Sequence, residues 1–391
     1  MAVKGVFASD QNIQGTKTGD FASGLLKVMP TGSAQLLALT SGMKSSPAYD
    51  TVITWFEENH LTGRIQVSAA VGGTVGDTTI PLVNSDEVVE GGVFLVESTG
   101  EYVYVESVAG LNLTVTRALG DPASVAAIAD TSYLQKIGTA HEEGSSKPTS
   151  IANLGFPRFN YLQTFRNSWD VTGTAAAVNF HMGDLPAKNK ADAAAIHAED
   201  IERSILFGKR AIGVRNGKPF RMMDGITNQL SSNVQAQGAN TTWTILDTFL
   251  QNIFSKNIKG QPNERIAYCG NTVLSVINAI ARIEGTIDIK PGQTDFGLKV
   301  NKWLTPYGDI SLMTHPLFNE SPLWTKDLMV LHPAAIQTRY LRKTHHDEYN
   351  KDGTRAGVDG DYGVYTTEMS VEYKAEQTGG LFTGIDTAAA S

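Results

Sequence analysis

Hydrophobic positions recur every three or four residues between residues 187 and 205, and they give the chain its clearest element. Ala187, Ala191, Ala194, Ala198, Ile201 and Ile205 fall on one stripe of a helix. Asp184 is placed to cap the start, Pro186 suits the first turn, and Gly208 offers a left-handed end. The predicted helix, residues 185–207, is roughly 33 Å long at about 1.5 Å per residue. Lys188, Lys190, Asp192, Glu199, Asp200, Glu202 and Arg203 are left for its other faces, with Glu199 and Arg203 four apart. A stripe made mostly of alanine lets another backbone come close, so the helix is expected to lie flat across a sheet.

Alternation marks strands on both sides of this helix. Residues 51–58, including Trp55, Phe56 and Glu57, read as one strand, and a β-rich block follows from Ile65 to about Ile137. Its strands are predicted at 79–83, 92–97, 102–108, 113–117 and 132–137, separated by turn residues such as Thr99-Gly100 and Ala109-Gly110. Strands this short, with one apolar face in 102–105 and 113–116, fit a small barrel or sandwich inserted into the chain. Beyond it, Tyr161, Gln163 and Phe165 are spaced for one face of a strand, so residues 51–58 and 160–166 bracket the insert as two extended limbs.

After Gly225 helices and strands alternate. Helices are predicted at 244–257 and 273–283, and strands at 265–269, 298–304, 309–314, 327–331 and 336–342, a compact α+β or α/β unit. Residues 343–360 read as a polar loop and 363–373 as a strand, with order ending near Ile385. Residues 1–49 are Gly-, Ser-, Thr- and Ala-rich without a sustained period, which suits an arm that gains order on a partner.

Composition adds three constraints. Charged residues make up 18% of the 391, below the ~25% of ordinary soluble domains, so much neutral surface awaits a cover, of which subunit contacts are the simplest. The net charge of -8 argues against sequence-specific or strongly electrostatic nucleic-acid binding. Cys269 is the only cysteine, so neither an intrachain disulfide nor a multi-thiolate zinc site can form, and folding is expected in a reducing compartment. The first ten residues lack the apolar run of a secretory signal and no window approaches eighteen apolar residues, so a soluble protein of cytoplasmic origin is expected.

Candidate chemistry is sparse. His345, His346, Asp347 and Glu348 form the most site-like cluster, with side chains able to ligate zinc, iron or manganese, but adjacent residues in a loop define no convergent pair. The remaining histidines are scattered, and His197 is expected on the solvated side of the long helix. Residues 213–218 are glycine-bearing without being a phosphate loop, and Arg215, Lys218 and Arg221 are read as a solvated turn or small basic patch. Cys269, in an apolar strand, reads as core.

The order of these parts resembles the major capsid proteins of tailed bacteriophages with the Hong Kong ninety-seven-type fold. More narrowly, Glu142-Glu143-Gly144, Asn160-Tyr161-Leu162-Gln163-Thr164-Phe165, Thr172-Gly173-Thr174, Asp200-Ile201-Glu202, Leu206-Phe207-Gly208 and Met223-Asp224-Gly225-Ile226 look like the subfamily with a β-domain in its extended loop. The resemblance implies an α+β fold with four parts. They are an N-terminal arm (1–49), an extended loop (50–172) with a β-domain at about 67–136, a peripheral domain (173–240 and 346–391) with spine helix 185–207, and an axial domain (241–345).

It further implies a virion protein, assembled in the host cytoplasm from hexamers and pentamers into an icosahedral shell. The shell would enclose double-stranded DNA without sequence-specific contact, with separate scaffold, portal and decoration proteins as possible partners, no cofactor and no membrane. Trp55, Phe56, Glu57, Tyr161, Gln163, Phe165, Glu199 and Arg203 are then the inter-subunit contact candidates. Some members of the family crosslink a loop lysine to an asparagine, but no lysine lies between Lys44 and Lys136 here, so noncovalent contacts are expected. The rival readings are an encapsulin-like compartment, a metal-dependent hydrolase centred on His345–Glu348, and a noncapsid surface or tail component.

Overall fold

The computed structural model describes residues 43–121, 125–178, 184–238, 240–284, 290–291, 301–349 and 359–388. Most of the expected arm, residues 1–42, lies outside them. Two compact units are present, Trp55–Arg158 and Met1–Thr54 with Phe159–Ser391, and the division falls within two strands, Val52–Glu57 and Phe156–Tyr161, that pair as a two-stranded sheet. The two limbs expected to flank the insert do pair, over these residues.

The smaller unit is the β insert. Its six strands run Arg64–Gln66, Tyr133–Thr139, Gly92–Val96, Tyr102–Ala109, Asn112–Thr116, Thr79–Pro81 across the sheet, every pair antiparallel. The alternation is the reason: Phe94, Val96, Val103, Val105, Leu113, Val115 and Leu134 fall on one face and bury together with Ile80, Leu82 and Ile128. Arg117 and Glu101 are also fully buried and bonded, Nε to Oε1 at 3.0 Å and Nη2 to Oε2 at 2.6 Å. The Arg117 guanidinium donates besides to the carbonyls of Gly72 and Ala126, and Glu101 accepts the N–H of Ala118. Each guanidinium nitrogen and each carboxylate oxygen of the pair is therefore bonded, the condition under which a buried ion pair is tolerated.

In the larger unit, Ile336–Tyr349 and Gly360–Tyr373 pair antiparallel as the centre of a four-stranded sheet, flanked by Lys44–Pro47 and Gln163–Thr172. A second, seven-stranded mixed sheet is ordered Val234–Ala236, Gly380–Thr383, Leu328–Leu331, Glu264–Cys269, Gly308–Thr314, Asn301–Thr305, Lys290–Pro291. Helices Trp243–Phe254 and Asn271–Glu284 cover it, with Leu246, Phe249, Leu250 and Ile253 of one and Val273, Ile277 and Ile280 of the other in a shared core. Thr242 caps the first of them, accepting from Ile245 N–H. The architecture is α+β.

The long helix spans Leu185–Phe207 and packs on strands Gln163–Thr172 and Gly360–Tyr373. Ile201, Ile205 and Leu206 sink into one core with Phe165, Met369, Val371 and Tyr373. The buried stripe is Ala193, His197, Ile201, Glu202, Ile205 and Leu206. It shares only Ile201 and Ile205 with the expected one, and Ala187 and Ala191 are exposed. The difference arises because two polar side chains are buried where their partners lie across the sheet.

Three further expectations are corrected. Residues 343–349, read as loop, continue the Ile336–Tyr349 strand, because Gly360–Tyr373 offers a backbone partner along its length, so a domain boundary at 345/346 would cut a strand. The 160–166 limb is not one strand: Phe156–Tyr161 pairs with Val52–Glu57, whereas Gln163–Thr172 joins the sheet beneath the long helix. Gly208 is not left-handed, with φ -55° and ψ 152°; its lack of a side chain serves a close backbone approach.

Candidate functional site

The His345–Glu348 cluster lies on a strand, so its side chains alternate between faces. His345 pairs with Asp347 at 3.6 Å and His346 with Glu348 at 3.7 Å. His346 is further engaged: its Nε2 accepts from Trp169 Nε1–H at 2.9 Å, and its ring packs 4.3 Å from that of Tyr365. Desolvation and the nearby Lys190 ammonium hold its pKa below the usual histidine value, which suits a neutral acceptor. Lys190 of the long helix ion-pairs with Glu348. The four residues act as two pairs on opposite faces, one of which fastens the helix to the sheet, and they do not converge on a common centre.

Residues expected to be solvated instead lock the helix down. His197 is buried, its Nδ1 2.7 Å from Asn167 Oδ1 and its Nε2 2.7 Å from Thr367 Oγ1, and burial lowers its pKa. Glu202 is fully buried against His315, Oε1 to Nε2 at 3.1 Å. Leu317 N–H donates to His315 Nδ1 at 3.2 Å. Nδ1 is therefore an acceptor, and Nε2 carries the proton that Glu202 receives. Cys269 is core, its thiol pushed up to about 12 by burial, which makes it a poor nucleophile.

The C-terminal end of the helix is a knot of the short motifs seen in the sequence. Asn160 is buried; its amide donates to the carbonyls of Asp224 at 3.0 Å and Val371 at 2.8 Å and accepts from Asp224 N–H at 2.8 Å. Gln163 Oε1 accepts from Met223 N–H at 3.0 Å. Gly225 N–H donates to the Gly208 carbonyl at 2.8 Å. A Cβ on Gly208 would stand 2.8 Å from the Met223 oxygen, and one on Gly225 2.8 Å from the Leu206 oxygen, so both positions require glycine for space.

From this knot projects an element the sequence reading missed. Ala211–Arg215 and Lys218–Met222 pair as a hairpin closed by Asn216 and Gly217 at φ 52° and 70°. Two positive φ values in a two-residue loop make the turn whose twist matches the strands, and Asn-Gly is its strongest signal. Ile212 and Val214 are 58% and 73% exposed, and Phe220 and Met222 are also exposed.

The contact candidates are placed unevenly. Trp55 is buried, donating from Nε1 to Glu57 Oε1 at 2.7 Å, and Phe165 lies in the core. Gln163 belongs to the knot, Tyr161 is half-buried edge-on to Phe159, and Arg203 is held between Glu199 and Glu320 at 3.3 and 3.0 Å. Phe56, 75% exposed, keeps an open apolar side chain. Period-two geometry turns Trp55 and Phe165 inward, and the remaining candidates are bonded or packed within this chain.

Comparison with known proteins gives the arrangement its context. A major capsid protein of Pseudomonas phage PaMx41 is 31% identical over 408 residues, covering 98% of this chain and 96% of that protein. Among solved structures, the capsid of Myoviridae phage XM1 is similar over 98% of this chain and 100% of that chain at 11% identity (TM-score 0.47). A Mycobacterium phage Bobi chain is similar over 97% and 99% at 7% identity (TM-score 0.49). The model of the SU10 major capsid protein family matches residues 8–386, a span that takes in the β insert, the long helix with its knot and both sheets; the chain belongs to that family.

Proposed function

We propose that this chain is the repeating tile of an icosahedral phage shell of the Hong Kong ninety-seven type, assembled from hexamers and pentamers around double-stranded DNA. The observation that carries the reading is the family match over residues 8–386, supported by the relation to a phage major capsid protein along nearly the whole of both chains. In this reading residues 1–49 are the arm. The ribbon of Val52–Glu57 and Phe156–Tyr161 is the base of the extended loop, and the six-stranded unit is its insert. The sheet under the long helix is the peripheral domain, and the seven-stranded sheet with its two helices is the axial domain.

The physics is that of a tile. Contacts that are heterologous close into rings, and a ring multiplies contacts that are individually weak. The His346, His197 and Glu202 anchors make the helix and sheet a rigid plate, so assembly orders few internal groups and most interface energy is retained. With no lysine between Lys44 and Lys136, the shell is held by noncovalent contacts. Scaffold, portal and decoration functions belong to separate proteins, and assembly takes place in the host cytoplasm.

Sedimentation of the purified full-length chain at rising concentration tests the reading. A fast-sedimenting closed particle should appear cooperatively above a threshold concentration. A chain that stays monomeric across pH, salt and crowding conditions would contradict it.

A further inference from the structure

The hairpin Ala211–Met222 has an unusual chemical character for this chain. Residues 209–222 contain Lys209, Arg210, Arg215, Lys218 and Arg221 and no aspartate or glutamate, in a protein of net charge -8. Across the ladder Ile212 faces Arg221 and Val214 faces Pro219, while Phe220 and Met222 lie on the opposite face. Both faces thus mix exposed apolar side chains with cations, and the tight Asn216-Gly217 turn holds them in a defined geometry.

One stretch of the same chain has the complementary character. Residues 49–58 carry Asp50, Glu57 and Glu58 and no lysine or arginine; Glu57 is engaged by Trp55 Nε1 and by Arg158 at 3.9 Å, so the open negative charge is that of Asp50 and Glu58, both exposed. Tyr49 is 89% exposed, and Val52 and Phe56 lie on the open face of a strand whose other face buries Ile53 and Trp55. Each copy of the chain therefore displays a cationic apolar hairpin and an anionic apolar strand, both uncovered.

We propose that the hairpin Ala211–Met222 of one copy docks on the Tyr49–Glu58 stretch of a second copy. The inference rests on the shell reading and names one of its contacts. Two hairpins would repel each other through their cations, so the contact is between unlike surfaces and runs head to tail, the kind that closes rings. Packaged nucleic acid would satisfy the cations but leave Ile212, Val214, Phe220 and Met222 without an apolar partner, whereas Tyr49, Val52 and Phe56 supply one. Opposed charges add register and on-rate, and make the association sensitive to salt.

The test is charge reversal in the full-length chain. Arg215→Glu/Lys218→Glu/Arg221→Glu alters two exposed side chains and one half-buried one, so circular dichroism is used to check that the monomer keeps its fold, and Arg215→Glu/Lys218→Glu, which touches exposed positions alone, is measured beside it. The triple variant's assembly threshold should rise at least about tenfold. Adding Asp50→Lys/Glu58→Lys should return the threshold to within about threefold of wild type, since the reversed pair restores the attraction. A triple variant that assembles at the wild-type threshold overturns the inference while leaving the shell reading intact. A combined variant that is not rescued overturns the assignment of Tyr49–Glu58 as the partner, and normal shells that lose only their nucleic acid show that the hairpin meets phosphate. Wild type that never assembles overturns the shell reading together with this contact.

Discussion

Asn160 and Asp224 hold each other by a reciprocal pair of hydrogen bonds, the Asn160 amide donating to the Asp224 carbonyl while Asp224 N–H donates to Asn160 Oδ1. A third bond from the same amide reaches Val371 in the sheet beneath the long helix. One side chain therefore ties the base of the hairpin to a central strand, and the next residue, Gly225, bonds the end of the helix at Gly208. Asn160→Ala takes the acceptor from the N–H groups of Asp224 and Tyr161, while the two carbonyls keep Gln229 Nε2 as a donor; it should cost about 1–3 kcal/mol, read as a lowered urea midpoint at unchanged slope. Asn160→Asp should cost more, since it replaces the donor with a carboxylate facing two carbonyl oxygens.

Glu202 and His315 join the long helix to the end of strand Gly308–Thr314 in a site from which water is excluded. Glu202→Ala leaves the neutral imidazole N–H unpaired and should destabilise the chain by about 1–3 kcal/mol. Glu202→Gln keeps an oxygen for that N–H and should recover most of the loss. Guanidinium unfolding of the two variants distinguishes a requirement for the hydrogen bond from one for bulk alone.

Acid should weaken the fold through His332. Desolvation, reinforced by the Arg265 guanidinium, lowers its pKa to about 4, and its Nδ1 already accepts from Ala334 N–H. The unfolded chain binds a proton near pH 6.5 that the folded chain refuses until about pH 4. This contribution is therefore complete above pH 6.5 and lost as the pH falls toward 4, by an amount on the order of 1–3 kcal/mol. Asp327, raised to about 6 by burial, works in the opposite sense: the folded chain holds its proton more tightly, and that stabilisation fades as the pH rises from about 4 to 6. Denaturation midpoints of His332→Gln and Asp327→Asn, measured between pH 4 and 7, should show each slope disappear separately.

The insert should respond to its own buried pair and the rest of the chain should not. Arg117→Ala strands the Glu101 carboxylate in the core and should cost about 3–5 kcal/mol there. In the full-length protein, hydrogen exchange should lose protection in Gly92–Val96 and Tyr102–Ala109 while amides of Gly360–Tyr373 keep theirs. Loss of protection in both places would show that the two units unfold as one.

What the sequence reveals and what it hides divides along a physical line. Local signals carry far: Pro186 and Gly208 bracket the long helix correctly, and Val103, Val105, Leu113 and Val115 disclose the buried face of the insert. Even there the mechanism differs, because Asp184 makes no side-chain cap bond and Gly208 serves a close approach to Met223 and Gly225. Partners distant in sequence stay hidden. His197 and Glu202 look solvated until Asn167, Thr367 and His315 are placed beside them, and the polar residues 343–349 look like loop until Gly360–Tyr373 pairs with them. The hairpin was legible in Asn216-Gly217 with Ile212, Val214, Phe220 and Met222 around it, yet its glycines and cations read more readily as a turn. Trp55 and Phe165 were singled out for neighbours, but a single sequence does not say whether an apolar face is covered by its own chain or by another.

Cryo-electron microscopy of particles formed by the full-length protein tests most directly whether this polypeptide builds a closed shell. The expected image is a closed particle whose reconstruction shows five-fold and six-fold rings of one chain. Open sheets, filaments or discrete small oligomers at every concentration would contradict it.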